Sequence, residues 1–244
     1  LLMPGKVFEN KEAVILAYEL GQVEIHAGIK IQDRGEIIDT TVGRVIFCSA
    51  LPYDIDLRDV NKEQNQASIG DIIAGAYAKL GHNKTVDLLD ALKAVGFKYS
   101  TLAGISIAVV DMIVPTQKQT MIESAQGEVQ RIDEMYQNGL ITAGERYNMI
   151  IDQWTNTTEQ VAAAMLSEMG DNDQGFSGIY MMFSSQARGT KQQIRQLAAM
   201  RGLMAKPSGD IIESPITSNF REGLSVIEYF ISSHGARKGL ADTA

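Results

Sequence analysis

The chain has 244 residues, of which 45% are hydrophobic and 21% are charged, a composition typical of globular proteins. The length suits one large domain or two small ones. No run of 18 apolar residues occurs, so the sequence predicts no membrane-spanning helix. The single cysteine, Cys48, excludes an internal disulfide and a cysteine-based zinc site within these residues, and we expect it to be a small core residue in a reducing compartment.

Charge is distributed unevenly along the chain, whose net charge is −8. Residues 1–170 carry 14 basic and 23 acidic side chains, a net −9, whereas residues 171–244 carry 8 and 7, a net +1. Within the second part, "QARGTKQQIRQLAAMRGLMAK" (186–206) holds five basic residues and no acid. The acidic total argues against a simple nucleic-acid-binding domain, and the basic segment predicts an anionic partner at one place only.

The beginning of the chain indicates mixed α and β structure. Asn10 is a candidate cap for a helix that Gly21 ends. Apolar residues then alternate from Val23 to Ile31, which is the period of a strand, with His26 expected on its polar side. "DRGEII" supplies a turn and a second strand, so the sequence predicts a β-hairpin.

The following segments have mostly helical spacing. "TTVGRVIFCSALP" fits a helix capped by Thr40 or Thr41 and also fits a buried strand, and its β-branched residues leave both open. "SIGDIIAGAYAKLG" and "NKTVDLLDALKAVGFKYS" predict two amphipathic helices separated by Gly81 and His82. A short apolar segment follows and is ended by Pro115.

Residues 116–169 predict an antiparallel helical hairpin. The first arm has apolar residues at the spacing of a coiled-coil seam, namely Ile122, Val129, Ile132 and Tyr136. "QNGL" breaks the pattern, and Thr142 with Glu145 forms a capping box that starts the return arm. The return arm continues the apolar spacing with Tyr147, Ile151, Trp154, Val161 and Met165.

The hairpin is acidic, with three basic residues against eight acids. A solvated helix face accounts for most of these acids. A projecting acidic hairpin is also a surface that a partner protein can bind, and the residues alone leave both interpretations open.

The basic segment likewise allows two interpretations. Arg188, Lys191 and Arg195 share one face if the segment is helical. Phosphates are natural counter-ions of such a face, because guanidinium groups bind phosphate through paired hydrogen bonds. The alternative is ion pairing with the acidic half of the same chain.

The last residues predict a helix with defects. Asn219 and Glu222 have the capping-box spacing, so we expect a helix to begin there. Glycines follow at 223, 235 and 239, each costing about 1 kcal/mol relative to alanine, which indicates a helix that bends or is closely approached. The chain begins without methionine and stops within this pattern, so we expect a piece of a longer protein.

No motif for hydrolysis, nucleotide cradling, dinucleotide binding or zinc proteolysis is present, and the three histidines have no metal-ligand spacing. Several stretches, however, closely resemble the bacterial DNA-directed RNA polymerase β′ subunit, in the same order. They are "TTVGR" (40–44), "GLITAGERYN" (139–148), "QARGTKQQIRQLAAMRG" (186–202) and the continuation to "HGARKGLADTA" (234–244). The resemblance covers essentially the whole chain.

The resemblance implies a mainly α fold with a small β component, as part of a multidomain subunit. Four parts are expected: a pore-region α+β domain (1–115), a helical hairpin at the rim of the secondary channel (116–169), a channel-lining loop and basic helix (170–217), and the first part of the bridge helix (218–244).

The resemblance also implies roles for particular residues. Those expected near the incoming nucleoside triphosphate are Arg188, Lys191, Arg195 and Arg201. Those expected near the RNA–DNA hybrid are His234, Gly235, Arg237 and Lys238. Glu145 and Asp152 are expected to contact transcript-cleavage factors and other regulators of the secondary channel. Two residues depart from the family pattern, Gln186 in place of Gly and Thr190 in place of Ser.

Catalysis is expected elsewhere in the family's subunit. Nucleotidyl transfer needs two metal ions, and the Mg and Zn sites of the family lie outside these residues, so we expect no catalytic residue, metal or cofactor here. The implied partners are other polymerase subunits, template DNA, the RNA transcript and nucleoside triphosphates, in the bacterial cytoplasm at the nucleoid and away from membranes. The rival hypothesis is a free-standing helical adaptor that binds nucleotides through its basic segment.

Overall fold

The structure is a computed structural model that describes residues 5–52, 55–206 and 208–233. The chain divides into two compact units, Leu1–Ile105 and Ser106–Ala244. Helices predominate and one small sheet is present, which confirms the predicted fold class. Over the described ranges, no helix combines the length and the apolar character that crossing a membrane requires.

The first unit contains a three-stranded sheet. Strands β1 (Val7–Phe8), β2 (Gly28–Asp33) and β3 (Glu36–Thr41) lie in that order, with β1 parallel to β2 and β2 antiparallel to β3. Arg34 and Gly35 both have positive φ and form the turn between β2 and β3, as two-residue hairpin loops commonly require. The predicted β-hairpin is therefore confirmed.

Helices α1 to α5 complete the first unit, with bounds Lys11–Glu19, Val42–Ala50, Leu57–Val60, Gln66–Leu80 and His82–Ala103. Asn10 caps α1 as predicted, accepting the Ala13 amide at 2.8 Å. Thr41 caps α2, which decides between the two predicted structures of that stretch in favour of the helix. The helices and the sheet share one core, whose fully buried side chains include Val14, Ile31, Val45, Leu57 and Leu88.

The strand predicted from Val23 is wrong in its start. The observed strand begins at Gly28, and His26 lies in a turn. The backbone before the strand is bonded elsewhere, because the carbonyl of Ile25 accepts the amide of Gly43 at 2.8 Å. The start of α2 therefore takes a bond that a longer strand would need.

The second unit contains α6 (Lys118–Gln137), α7 (Ala143–Asp171), the short α8 (Gly178–Ser184), α9 (Lys191–Ala198) and a last helix, α10, described over 226–233. Helices α6 and α7 form the predicted antiparallel hairpin. The side chains buried between its arms are Ile122, Ala125, Ile132, Ile150 and Trp154, with Val129 partly buried against them.

Two residues of the predicted apolar spacing depart from it: in the return arm Ile150 is buried where Ile151 was predicted, and in the first arm Tyr136 lies partly outside the core. Tyr136 is 44% exposed, and the Arg146 guanidinium carbon lies 5.9 Å from its ring centre. The capping box of Thr142 and Glu145 is present as predicted, with the Glu145 carboxylate accepting the Thr142 amide at 2.8 Å.

The helix predicted from Asn219 also begins later than expected. Asn219 and Glu222 do exchange hydrogen bonds, at 2.8 and 3.4 Å, but they close a single turn. Gly223, with φ of 88°, takes the chain out of helical geometry. A second capping box, formed by Ser225 and Glu228, then starts α10.

Candidate functional site

The basic segment is held on the hairpin by α9. The Thr190 hydroxyl accepts the Gln193 amide at 3.2 Å, and the Gln193 side chain accepts the Thr190 amide at 3.0 Å. Threonine therefore caps the helix as serine does. Ile194 and Ala198 are buried in a cluster with Val161, Met165 and Met169 of α7. The apolar side of α9 thus packs on α7, with Lys191 exposed and Arg195 partly buried.

The four basic residues expected near the triphosphate do not lie on one helix. Lys191 and Arg195 are one turn apart on α9, Arg188 lies in the exposed bend before it, and Arg201 follows its end. The shared face predicted for Arg188, Lys191 and Arg195 therefore does not include Arg188. Gly189, with φ of 90°, separates that residue from the helix.

The two interpretations of the basic segment apply to different residues. Lys191 Nζ lies 3.0 Å from Glu159 Oε2 on α7, and both side chains are about half exposed. The hydrogen bond and charge of Lys191 lower the pKa of Glu159, with a contribution from Arg195. Arg188 and Arg201 form no ion pair with any residue that the structure describes. Ion pairing with the acidic half of the chain therefore accounts for the charge of Lys191 but not for the charges of these two arginines.

Two guanidinium groups of the segment retain donor capacity. The Nε atoms of Arg195 and Arg201 are buried and find no hydrogen-bond partner among the described residues. The Arg201 guanidinium lies 5.1 Å from the centre of the Phe220 ring, a cation–π contact that holds its plane. A guanidinium carries five N–H donors in one plane, and since the Nε atoms are buried, only the terminal nitrogens of both arginines can donate to an oxyanion such as phosphate.

Most acids of the hairpin are engaged within the chain. Those accepting a hydrogen bond from another side chain or a backbone amide are Glu123, Glu128, Asp133, Glu145, Glu159 and Glu168. Glu134 and Asp152 are exposed, and their carboxylates have no partner within the described ranges. Six of the eight acids therefore make contacts within the chain, although Glu145 among them stays exposed, whereas Glu134 and Asp152 make none in the described residues.

Asp152 lines a groove of about 340 Å³ between the arms of the hairpin. The other lining residues are Glu128, Arg131, Ile132, Met135, Met149, Gln153 and Asn156. The groove thus combines apolar side chains with two carboxylates and the guanidinium of Arg131, which pairs with Glu128 at 2.9 Å and leaves Asp152 as the unpaired charge among these lining residues. Glu145, the other residue expected to contact a partner, is exposed in the capping box, where the amide and then the hydroxyl of Thr142 lower its pKa.

Contacts that the sequence did not predict lie at the beginning of α7. Arg146 Nε is 2.5 Å from Asp133 on α6, and Arg146 also reaches Glu213 at 3.0 Å. The bond to Asp133 is the main cause that raises the pKa of Arg146. Arg146 stands inside the motif "GERYN", but Glu213 is 67 residues away, and no short-range pattern predicts such a pair.

Several expectations lie beyond what the structure describes. His234, Gly235, Arg237 and Lys238 are outside the described residues. Within the described residues, no group of three or more His, Cys, Asp or Glu side chains is placed to hold a metal ion. Cys48 is buried in the first unit, and burial raises its pKa.

Two family models match consecutive parts of the chain. RNA polymerase Rpb1, domain 3, matches residues 1–112, and RNA polymerase Rpb1, domain 4, matches residues 141–221. Two domains of one type of polymerase subunit thus follow each other in order. The chain belongs to the bacterial RNA polymerase β′ subunit family. A relative, the DNA-directed RNA polymerase subunit β′ of Thermodesulfovibrio yellowstonii, is 48% identical over 252 residues, which cover 98% of this chain and 18% of the relative's length.

Proposed function

We propose that the chain acts as part of a DNA-directed RNA polymerase, which joins nucleoside triphosphates into RNA on a DNA template. Its own contribution is the rim of the secondary channel and the start of the bridge helix. The observation that carries this proposal is the alignment of 98% of the chain with one stretch of a β′ subunit at 48% identity. The α6–α7 hairpin and the basic helix α9 support it.

Each part of the second unit has a role in this proposal. The hairpin presents its groove and Asp152 to regulators such as transcript-cleavage factors. Arg188, Arg195 and Arg201 bind the triphosphate of the incoming nucleotide, while Lys191 is paired with Glu159. α10 leads into the bridge helix beside the RNA–DNA hybrid. The metal ions of the reaction are held by other parts of the subunit, so the chain binds and orients and does not catalyse.

The rival function, a free-standing adaptor that binds nucleotides, rests on the same basic segment. It does not explain why 98% of the chain aligns with 18% of a much longer polymerase subunit. The two functions also differ in whether the basic segment must bind a nucleotide without other subunits. The adaptor must bind a triphosphate alone, whereas the polymerase part does so in the assembled enzyme.

A reconstituted polymerase tests the proposal. Its β′ subunit carries this sequence with Arg188→Ala and Arg195→Ala, and Lys206→Ala is the matched control, because Lys206 is an exposed cation of the same segment. Loss of charge-assisted hydrogen bonds to phosphate is expected to raise the KM for nucleotides about tenfold or more. An unchanged KM in the double variant, or an equal rise in the control, contradicts this role.

A further inference from the structure

An ion pair joins the base of the hairpin to the turn that precedes α10. Lys118, the first residue of α6, has a side chain only 9% exposed, and its Nζ lies 2.5 Å from Oε2 of Glu222, whose side chain is 40% exposed. Lysines are almost never buried without a partner. The two residues are 104 positions apart in sequence, so the pair is a tertiary contact between two separate elements.

The turn itself is bound to α9. We name residues 218–223 the junction. Within it, Glu222 exchanges hydrogen bonds with Asn219, whose side-chain amide donates to the carbonyls of Ala198 and Ala199 at 2.8 and 3.1 Å. These carbonyls end α9 and would otherwise lack partners. Asn219 is fully buried, so this contact orients the junction on the end of the basic helix.

The junction is also bound to α10. The hydroxyl and the amide of Ser218 donate to the Glu228 carboxylate at 2.9 and 3.3 Å. The same carboxylate accepts the Ser225 amide at 2.9 Å and so caps α10. The junction therefore contacts three elements at once: the base of α6, the end of α9 and the first turn of α10.

We propose that Lys118 and Glu222 are positioning residues, and that their pair fixes the direction of α10 relative to the hairpin and α9. The pair is buried on the lysine side only, and such a pair can select one arrangement of the elements that it joins even where it adds little net stability. A cavity of about 460 Å³ lies beside the pair, lined by both residues and by Thr116, Gln119 and Ser218 among others. Without Lys118, the Glu222 carboxylate is free to turn into it, and the junction loses its tie to the hairpin.

The consequence for the enzyme rests on the proposed function: a force applied to the hairpin by a bound regulator reaches the start of the bridge helix through this pair. The contact itself is a property of the 244-residue chain. It can therefore be tested without the polymerase, and a failure of the proposed function leaves that test valid.

Hydrogen exchange measured by mass spectrometry on the full chain is the first test. The variants are Lys118→Met, Glu222→Gln and the charge exchange Lys118→Glu with Glu222→Lys, and Arg131→Met is the control that breaks the exposed pair with Glu128 on the same hairpin. We expect exchange over 217–230 to accelerate about tenfold in the single variants, to recover in the charge exchange and to stay unchanged in the control.

Two results would overturn the positioning role: unchanged exchange over 217–230, or an equal acceleration throughout α7, which indicates general unfolding.

In reconstituted polymerase, Lys118→Met is expected to lower kcat severalfold and leave the KM for nucleotides unchanged, since neither residue of the pair contacts substrate in the proposal. An unchanged kcat, or a rise in KM alone, contradicts the role in the enzyme. If a β′ subunit that carries the unsubstituted sequence fails to assemble, the proposed function is refuted, and the exchange result still decides the role of the pair.

Discussion

The phenol of Tyr147 makes two hydrogen bonds to the backbone of Ile211, donating to its carbonyl at 3.0 Å and accepting its amide at 3.2 Å. One side chain thus satisfies both polar groups of a residue, as a neighbouring strand would. Together with the Arg146–Glu213 pair, this contact ties residues 211–213 to the hairpin. None of these residues lines the groove that contains Asp152, so that groove remains accessible within the second unit.

Removal of the Tyr147 hydroxyl tests this tie. We expect Tyr147→Phe to lower the free energy of unfolding by about 1 kcal/mol, the net value of an ordinary hydrogen bond, in urea titrations followed by circular dichroism. Tyr77→Phe is the control, because Tyr77 is exposed and its hydroxyl has no partner among the described residues. Equal losses in both variants would show that the Ile211 bonds contribute nothing.

The groove at Asp152 allows a test of the proposed contact between the hairpin and a regulator. Asp152→Lys reverses an exposed charge that makes no contact within the described chain, so the fold should tolerate it. We expect the affinity of reconstituted polymerase for a transcript-cleavage factor to fall about tenfold, because an attractive charge becomes repulsive. Glu134→Lys, on the other arm and outside the groove, is the control and should have a smaller effect.

Glu145 requires a different substitution, since it is also part of the capping box. Glu145→Gln keeps an acceptor for the Thr142 amide and removes the charge, so a loss of factor binding in this variant reports partner contact rather than a frayed helix. We expect unfolding to be nearly unchanged and affinity to fall severalfold in the same binding assay. Wild-type affinity in Glu145→Gln would assign this residue to the cap alone.

The capping boxes of Thr142 with Glu145 and of Ser225 with Glu228 also predict that stability decreases in acid. Hydrogen bonds from Thr142 lower the pKa of Glu145 below its ordinary 4.5. Burial raises the pKa of Glu228, but hydrogen bonds from Ser225 and Ser218 outweigh it and lower the net value. Because both folded-state pKa values are depressed, their stabilisation is fully present above 4.5 and is lost as the pH falls through the folded values.

Unfolding at about pH 6 and about pH 3 measures this dependence. We expect wild-type stability to decrease between the two values, and Glu228→Gln to decrease less, since glutamine does not titrate. The variant should be the less stable protein at the higher pH. An identical decrease in both proteins would show that Glu228 is not among the groups responsible.

The surroundings of Gly202 predict that a larger residue at this position would contact Thr158 too closely. It has φ of 87°, and a Cβ there would lie 3.3 Å from Cγ2 and 3.4 Å from Oγ1 of the buried Thr158. Gly209 has φ of 101° with open space around it. We expect Gly209→Ala to cost about 1–2 kcal/mol for its backbone conformation, and Gly202→Ala to cost about 1 kcal/mol more for the contact. If Gly202→Ala and Gly209→Ala lower the free energy of unfolding equally in urea titrations, the contact with Thr158 contributes nothing.

Gln186 predicts a stabilising substitution. Its φ is 60°, which lies in the left-handed region that glycine occupies without cost. We expect Gln186→Gly to raise the free energy of unfolding by about 0.5–1 kcal/mol. Ala187→Gly, next to it at a negative φ, should instead lower stability. A loss in Gln186→Gly would mean that the glutamine side chain stabilises the bend.

The features that short stretches of sequence predicted correctly all depend on neighbouring residues. The cap of α1 at Asn10, the capping box of Thr142 and Glu145, and the two arms of the hairpin follow from side chains within one or two helical turns of one another. Such interactions form wherever the local chain is helical. The family likewise followed from motifs that are contiguous in the chain.

The remaining features were decided by contacts between distant residues. The strand predicted from Val23 was shortened because α2 takes a backbone bond of Ile25, and the turn at Asn219 is held against the end of α9 because its side-chain amide donates to the Ala198 carbonyl. Elements from distant parts of the chain decide which acids of the hairpin make no contact with another residue. They also decide that Glu222 is the residue that neutralises the buried Lys118. Local patterns carry no record of such pairings, because burial and charge compensation exist only once the elements have packed.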